Sequence, residues 1–275
     1  MVLENIADFE LIKKNWSRVF VFGFFVNTVS TITASIIFEP AAGLVALFLV
    51  SAAAFPLMNR MFEEEEAMDV YGQPSFFARH AKILKIYSGF FLGVLLSTSL
   101  AYFAMDAAHA NNTYRFQLSA LRSASINDRA TGAALEPQTF DKILLNNMRV
   151  AAISFLLSVI FGAAAVFIVS WNASVIAVFI GILAKAAAAP FGFGVLSAPG
   201  AFFYGLFSAA GTIALHGIPE VMSYFVAGLA GGIISVGLSK EKINTDRFYR
   251  VAKDGATLFS LAILLIFVAA AIEAY

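Results

Sequence analysis

Long, unbroken apolar blocks dominate this chain, and their length settles the class of fold before any motif is considered. Blocks at about 19–38, 41–58, 86–105, 149–171, 221–238 and 256–272 each approach the ~20 residues that carry a helix across a hydrocarbon core of about 30 Å. Lipid offers the backbone no water, so each crossing must satisfy its own hydrogen bonds, and helices do this. A β-barrel would need alternating segments of roughly ten residues, whereas these blocks are longer and continuously apolar. Composition agrees, with 60% of residues hydrophobic and only 13% charged. The expected fold is an all-α polytopic membrane protein of about seven or eight apolar helices.

Several function classes are excluded at once. The net charge is zero and there is no long basic run, so nucleic acid is not an expected partner. The chain has no cysteine, which removes disulfides, thiolate-bound zinc and thiol catalysis. His80, His109 and His216 are far apart, and neither a P-loop nor a nucleophile elbow is present. No enzyme activity, metal or cofactor is expected. The first residues carry mixed charge and lead into an apolar block with no small-residue cleavage pattern, so a cleavable signal peptide is not expected.

Three stretches organise the chain. Residues 1–58 read as an amphipathic lead-in and a helical hairpin that turns at Glu39-Pro40. Residues 59–85 read as a cytoplasmic loop, with a solvated acidic face at 63–66 and an aromatic–basic helix near 76–82 suited to the headgroup layer. Residues 86–275 read as a membrane domain with an outer loop at 106–148, expected to hold short helices near 114–123 and 137–147. In the first span, Asn27, Ser30, Thr31 and Ser35 fall on one helical face, as interhelical glue or as a pore lining. Gly89 with Gly93, and Gly228 with Gly232, offer small-residue faces for helix packing, including a homodimer.

Charge parity raises a conflict. Lys13, Lys14 and Arg18 favour a cytoplasmic N-terminus in the plasma membrane. If every later block crosses, the basic segment 239–253 ends outside, against the positive-inside rule. The blocks at 174–189 and 201–215 are each short, roughly 23 Å as helix, and the Gly/Pro-rich stretch 190–200 joins them. A re-entrant or half-spanning element within 174–215 is therefore expected.

His216-Gly217-Ile218-Pro219-Glu220 follows directly. Ionisable groups at membrane depth are expensive and point to function. One reading is an ion or substrate site at a broken helix, with Lys185 as a partner for Glu220. The other is a helix break and restart, with Glu220 capping the new turn and Lys185 snorkelling to the headgroups. Asn146, Asn147 and Asn172 read as caps at the ends of a span.

The motifs Leu145-Asn146-Asn147-x-x-Val150, Trp171-Asn172-Ala173 followed by Gly181, and Leu215-His216-Gly217-Ile218-Pro219-Glu220 together resemble the stage II sporulation protein M family of integral membrane proteins. The family pattern has a His-Gly-Ile-x-Glu core, usually with Pro before the His; here Leu215 takes that place and Pro219 lies inside the core. The resemblance runs from about 86 to 272. It implies a non-enzymatic scaffold or assembly component that works with envelope partners, with His216 and Glu220 as characteristic residues. The alternative is a small ion or solute transporter or channel using a re-entrant segment and a His216/Glu220 site.

Overall fold

A computed structural model of the chain describes residues 15–71, 76–123, 140–191, 197–240 and 245–274. Among them the elements are α1 (Trp16–Ile37), α2 (Ala42–Tyr71), α3 (Phe76–Ala104), α4 (Ala107–Thr113), α5 (Arg115–Ser123), α6 (Phe140–Phe161), α7 (Ala165–Ala188), α8 (Ser197–Lys240) and α9 (Asp246–Ala274), with a 3-10 turn at Ala189–Phe191. Seven of these helices are long and apolar enough to cross a membrane. The chain is thus an all-α, multi-pass membrane protein.

The faces of α1 show which solvent the fold is built for. Phe25 is 65% exposed and Ile36 79% exposed, while Asn27 is 1% exposed. Apolar side chains face outward and polar ones inward, the reverse of a water-soluble bundle. Asn27 Nδ2 donates to Ser97 Oγ at 2.9 Å and to Thr98 Oγ1 at 3.0 Å on α3. Asn27 therefore acts as interhelical glue. Ser30 and Thr31 are buried with it.

Chain direction follows from the contacts. Helices α1 and α3 run parallel: Trp16 Nε1 donates to Ser88 Oγ, and Asn27 meets Ser97 further along. Helices α2 and α3 are antiparallel, with Phe62 on Tyr87 and Lys82 paired with Glu64 at 3.3 Å. Helices α6 and α8 are parallel, joined at Asn147–Tyr224 and again at Phe155–Gly231. Helix α7 runs against α8, from Ala165 beside Gly228 to Ala184 beside Gly205. Helix α9 also runs against α8, where Gly237 meets Val251. The core where α2, α3 and α8 meet is aromatic: Phe62, Tyr87, Phe91 and Phe225, with Tyr87–Phe225 centroids 5.8 Å apart.

Several boundaries differ from the sequence reading. The expected loop 59–85 is mostly helix, because α2 runs on to Tyr71 and α3 starts at Phe76. The aromatic–basic segment is thus the first turns of α3 and not a separate surface helix. Helices α4 and α5 occupy the expected outer loop, but the second short helix is the start of α6; Pro137 lies outside the described residues. The span expected to end at Asn172 ends instead at Gly162, which has φ 66°, in the left-handed region open to glycine. Asn172 stays within α7 because its Nδ2 donates to the Ile168 carbonyl at 2.8 Å, one turn back. Ser158 Oγ accepts from Ala165 N at 3.1 Å and ties the hairpin shut.

The expected re-entrant element takes another form. Block 174–189 is the second half of a 24-residue helix. Blocks 201–215 and 221–238 are one 44-residue helix, α8, with Pro219 inside it. At about 1.5 Å per residue α8 is roughly 66 Å long, so it must tilt or project well past a core of about 30 Å. Merging the two blocks removes one crossing. Residues 239–240 and 245–253 then lie at the end of the bundle where Gly232 packs on Phe62 and Glu64 meets Lys82. Residues 192–196 of the connection lie outside the described residues.

Candidate functional site

The motif His216–Glu220 does not break the helix; α8 runs through it. Pro219 removes one backbone N–H, a cost that membrane helices tolerate where neighbouring groups re-satisfy the carbonyl. An unbroken helix puts His216, Glu220 and Tyr224 on one face at spacings of four. The opposite face carries Leu215 and Ile218, 76% and 62% exposed.

Glu220 is half-buried and reaches α6 through Tyr224. Tyr224 Oη donates to Glu220 Oε1 at 2.7 Å and lies 3.1 Å from Asn147 Oδ1. The Asn146 side chain touches Asn147 Oδ1 at 3.4 Å. Two hydroxyls bond to backbone beneath this group: Ser154 Oγ donates to the Tyr224 carbonyl at 3.3 Å, and Ser223 Oγ to the Glu220 carbonyl at 2.6 Å. Tyr224, Asn147, Ser154 and Ser223 are all buried. Asn147 Nδ2 has no hydrogen-bond partner among the described residues. The result is a polar bridge between parallel helices that fixes their register.

His216 lies one turn before Glu220, half-buried, and makes no hydrogen bond or ion pair with another described residue. Gly217 has only Ile213 of its own helix nearby. Lys185 is not a partner of Glu220. Its Nζ donates to the Met105 carbonyl and sits 4.9 Å from the Tyr102 ring centre. Ala184 packs beside Gly205, and Glu220 lies about 22 Å further along α8. Lys185 thus binds the C-terminal end of α3. Among the described residues no group of three or more His, Cys, Asp or Glu is placed to hold a metal ion.

The packing glycines lie at contacts within the chain. Gly89 faces Trp16 and Gly93 faces the Phe20 carbonyl; Gly228 meets Ala165 and Gly232 meets Phe62. At the end of α3, Asp106 Oδ1 accepts from Ala108 N and His109 N, both at 3.0 Å, and so caps α4. The backbone N–H and then the imidazole of His109 hold the Asp106 carboxyl below the usual carboxylate range. Donating to the Asp106 carboxylate raises the His109 imidazole in turn.

Sequence reasoning singled out Glu220 and missed its partners. Asn147 read as a boundary cap, and Tyr224 disappeared into an apolar block. The signal that could have found Tyr224 is its i,i+4 spacing from Glu220.

A family model described as Stage II sporulation protein M matches residues 83–275. No curated protein and no solved structure matches the chain.

Proposed function

Because that match covers more than half of the chain, it belongs to the stage II sporulation protein M family, and from that premise we propose that it is a non-enzymatic scaffold that assembles with helices of envelope membrane proteins. The observation that carries this is the outer face of α8. Gly200, Phe203, Tyr204, Phe207, Gly211, Leu215 and Ile218 recur at helical spacing along about 27 Å, nearly the depth of a bilayer core. Phe203, Tyr204, Phe207 and Leu215 are exposed, and a methyl group built on Gly200 or Gly211 would meet nothing within 4 Å. Small residues between large ones let a partner backbone come close, the usual basis of helix association in lipid. The glycine faces on α3 and on the second half of α8 are already filled from within, so they leave the assembly role to this stripe.

Orientation belongs to the same proposal. Arg18, Arg60, Lys82 and Lys85 gather at one end of the bundle, and Lys240, Arg247, Arg250 and Lys253 come to that end. The positive-inside rule makes it the cytoplasmic end, with the N-terminus inside and the plasma membrane as host.

A photo-crosslinking residue at Phe207, in native membranes, tests the scaffold reading. The expected result is one discrete protein adduct, lost in Gly211→Trp and absent with the same probe at Phe25 of α1. An adduct heavier by one chain mass would identify a homodimer. Lipid adducts alone at both positions would overturn the proposal. A second reading, a small transporter, is favoured by the buried Glu220–Tyr224–Asn147 bridge. It requires solute or ion flux in proteoliposomes that Glu220→Gln abolishes.

A further inference from the structure

The Tyr224 hydroxyl has one hydrogen and lies between two acceptors. Glu220 Oε1 is 2.7 Å away and Asn147 Oδ1 is 3.1 Å away. Wherever the hydrogen points, the other oxygen–oxygen contact lacks one, and both Tyr224 and Asn147 are almost fully buried. Asn147 Nδ2 meanwhile has no partner among the described residues. An ionised carboxylate held at such a place by a single neutral donor is costly.

We propose that Glu220, Tyr224 and Asn147 form a proton-binding switch between α6 and α8. Glu220 takes one proton from water onto Oε1 and donates it to the Tyr224 oxygen, while Tyr224 donates to Asn147 Oδ1. When that proton returns to water, the Asn147 amide turns over. Its Nδ2 then donates to the Tyr224 oxygen, and Tyr224 donates to the Glu220 carboxylate. The two states differ by one proton and one amide rotation, and each places one hydrogen in each of the two contacts of the Tyr224 oxygen. The second state gives up the 3.4 Å contact from Asn146.

Among the described residues, few charged groups surround the site. On α8, His216 stands one turn before Glu220. On α9, Glu273 is the charged group that acts electrostatically on Glu220. On α6, Asn146 and Asn147 face the site, whereas Asp141, Lys142 and Arg149 are exposed. Helix α7 contributes only Lys185, at the far end of its contact with α8. The proposal goes beyond both functional readings: the proton is bound whether or not anything is moved.

Infrared difference spectroscopy of the full chain in phosphatidylethanolamine–phosphatidylglycerol vesicles, titrated with pH, tests it. The expected result is a protonated-carboxyl C=O band at neutral pH that vanishes in Glu220→Gln and shifts in Tyr224→Phe. It should persist in Glu273→Gln. Glu220→Gln places an amide donor where the proton would be, so it should fold. A band that survives Glu220→Gln, or vanishes in Glu273→Gln instead, overturns the assignment. If Glu220→Gln does not fold, an unshifted band in Tyr224→Phe overturns it equally.

Discussion

Replacing Gly93 with alanine tests the docking of α1 onto α3, where the two backbones approach closely. A methyl group at residue 93 would lie 2.8 Å from Phe24 N and 3.2 Å from the Gly23 carbonyl carbon, and it would overlap the Phe20 carbonyl oxygen. Each of these is a backbone atom of α1, so no side chain can rotate away. Ordinary contact begins near 3.4 Å, so α1 must retreat by more than half an ångström. Overpacking of this kind costs about 1–3 kcal/mol. The retreat also stretches the two hydrogen bonds from Asn27, each worth about 0.6 kcal/mol in a membrane protein. The control is Gly211→Ala, where nothing lies within 4 Å and helix propensity favours alanine by up to about 1 kcal/mol. Thermal unfolding of both variants in mild detergent, followed by size-exclusion fluorescence, reads the difference. Gly93→Ala should melt clearly below the wild type and Gly211→Ala at or above it. Equal melting of the two would refute the close approach of α1 and α3.

Three further outcomes follow from particular contacts. Asn27→Leu should lower stability by about 1 kcal/mol, the sum of two interhelical bonds at about 0.6 kcal/mol each; an unchanged melting temperature would remove them from the account. Gly162→Ala forces a side chain into left-handed backbone, at about 1–2 kcal/mol, and should cost more than Gly200→Ala in the same assay. The Asp106–His109 pair is complete only in a middle pH window. Its His109 contribution is lost as pH rises through a raised imidazole value, and its Asp106 contribution as pH falls through a lowered carboxylate value. NMR titration of the His109 ring, identified by its loss in His109→Gln, should give a midpoint above an ordinary imidazole, and Asp106→Asn should bring it down.

Block length made the membrane class legible, and the spacing of Asn27, Ser30 and Thr31 marked the inner face of α1. The boundaries were harder because the usual punctuation carries less weight in lipid. Pro219 reads as a stop in a soluble helix, where water takes up the freed carbonyl; here α8 runs through it. Asn172 looks like a turn residue, yet its side chain bonds back to Ile168, while the actual turn lies among apolar residues at Gly162. The conflict between crossing count and the basic segment 239–253 was informative. It signalled one block too many, because a single long helix had been divided at its proline. The bridge of Glu220, Tyr224 and Asn147 depends on the register of two helices far apart in the chain, which periodicity within one helix does not carry.

Unbroken passage of α8 is the claim on which the other readings stand, and side-specific labelling measures it. The chain has no cysteine, so single cysteines at Ser197 and Ser239 can be probed with a membrane-impermeant maleimide in sealed cells and then in permeabilised ones. The account predicts that Ser197→Cys is labelled in sealed cells and Ser239→Cys only after permeabilisation. Labelling of both from one side would mean that the chain turns back between them, and α8 as a single crossing helix would be contradicted.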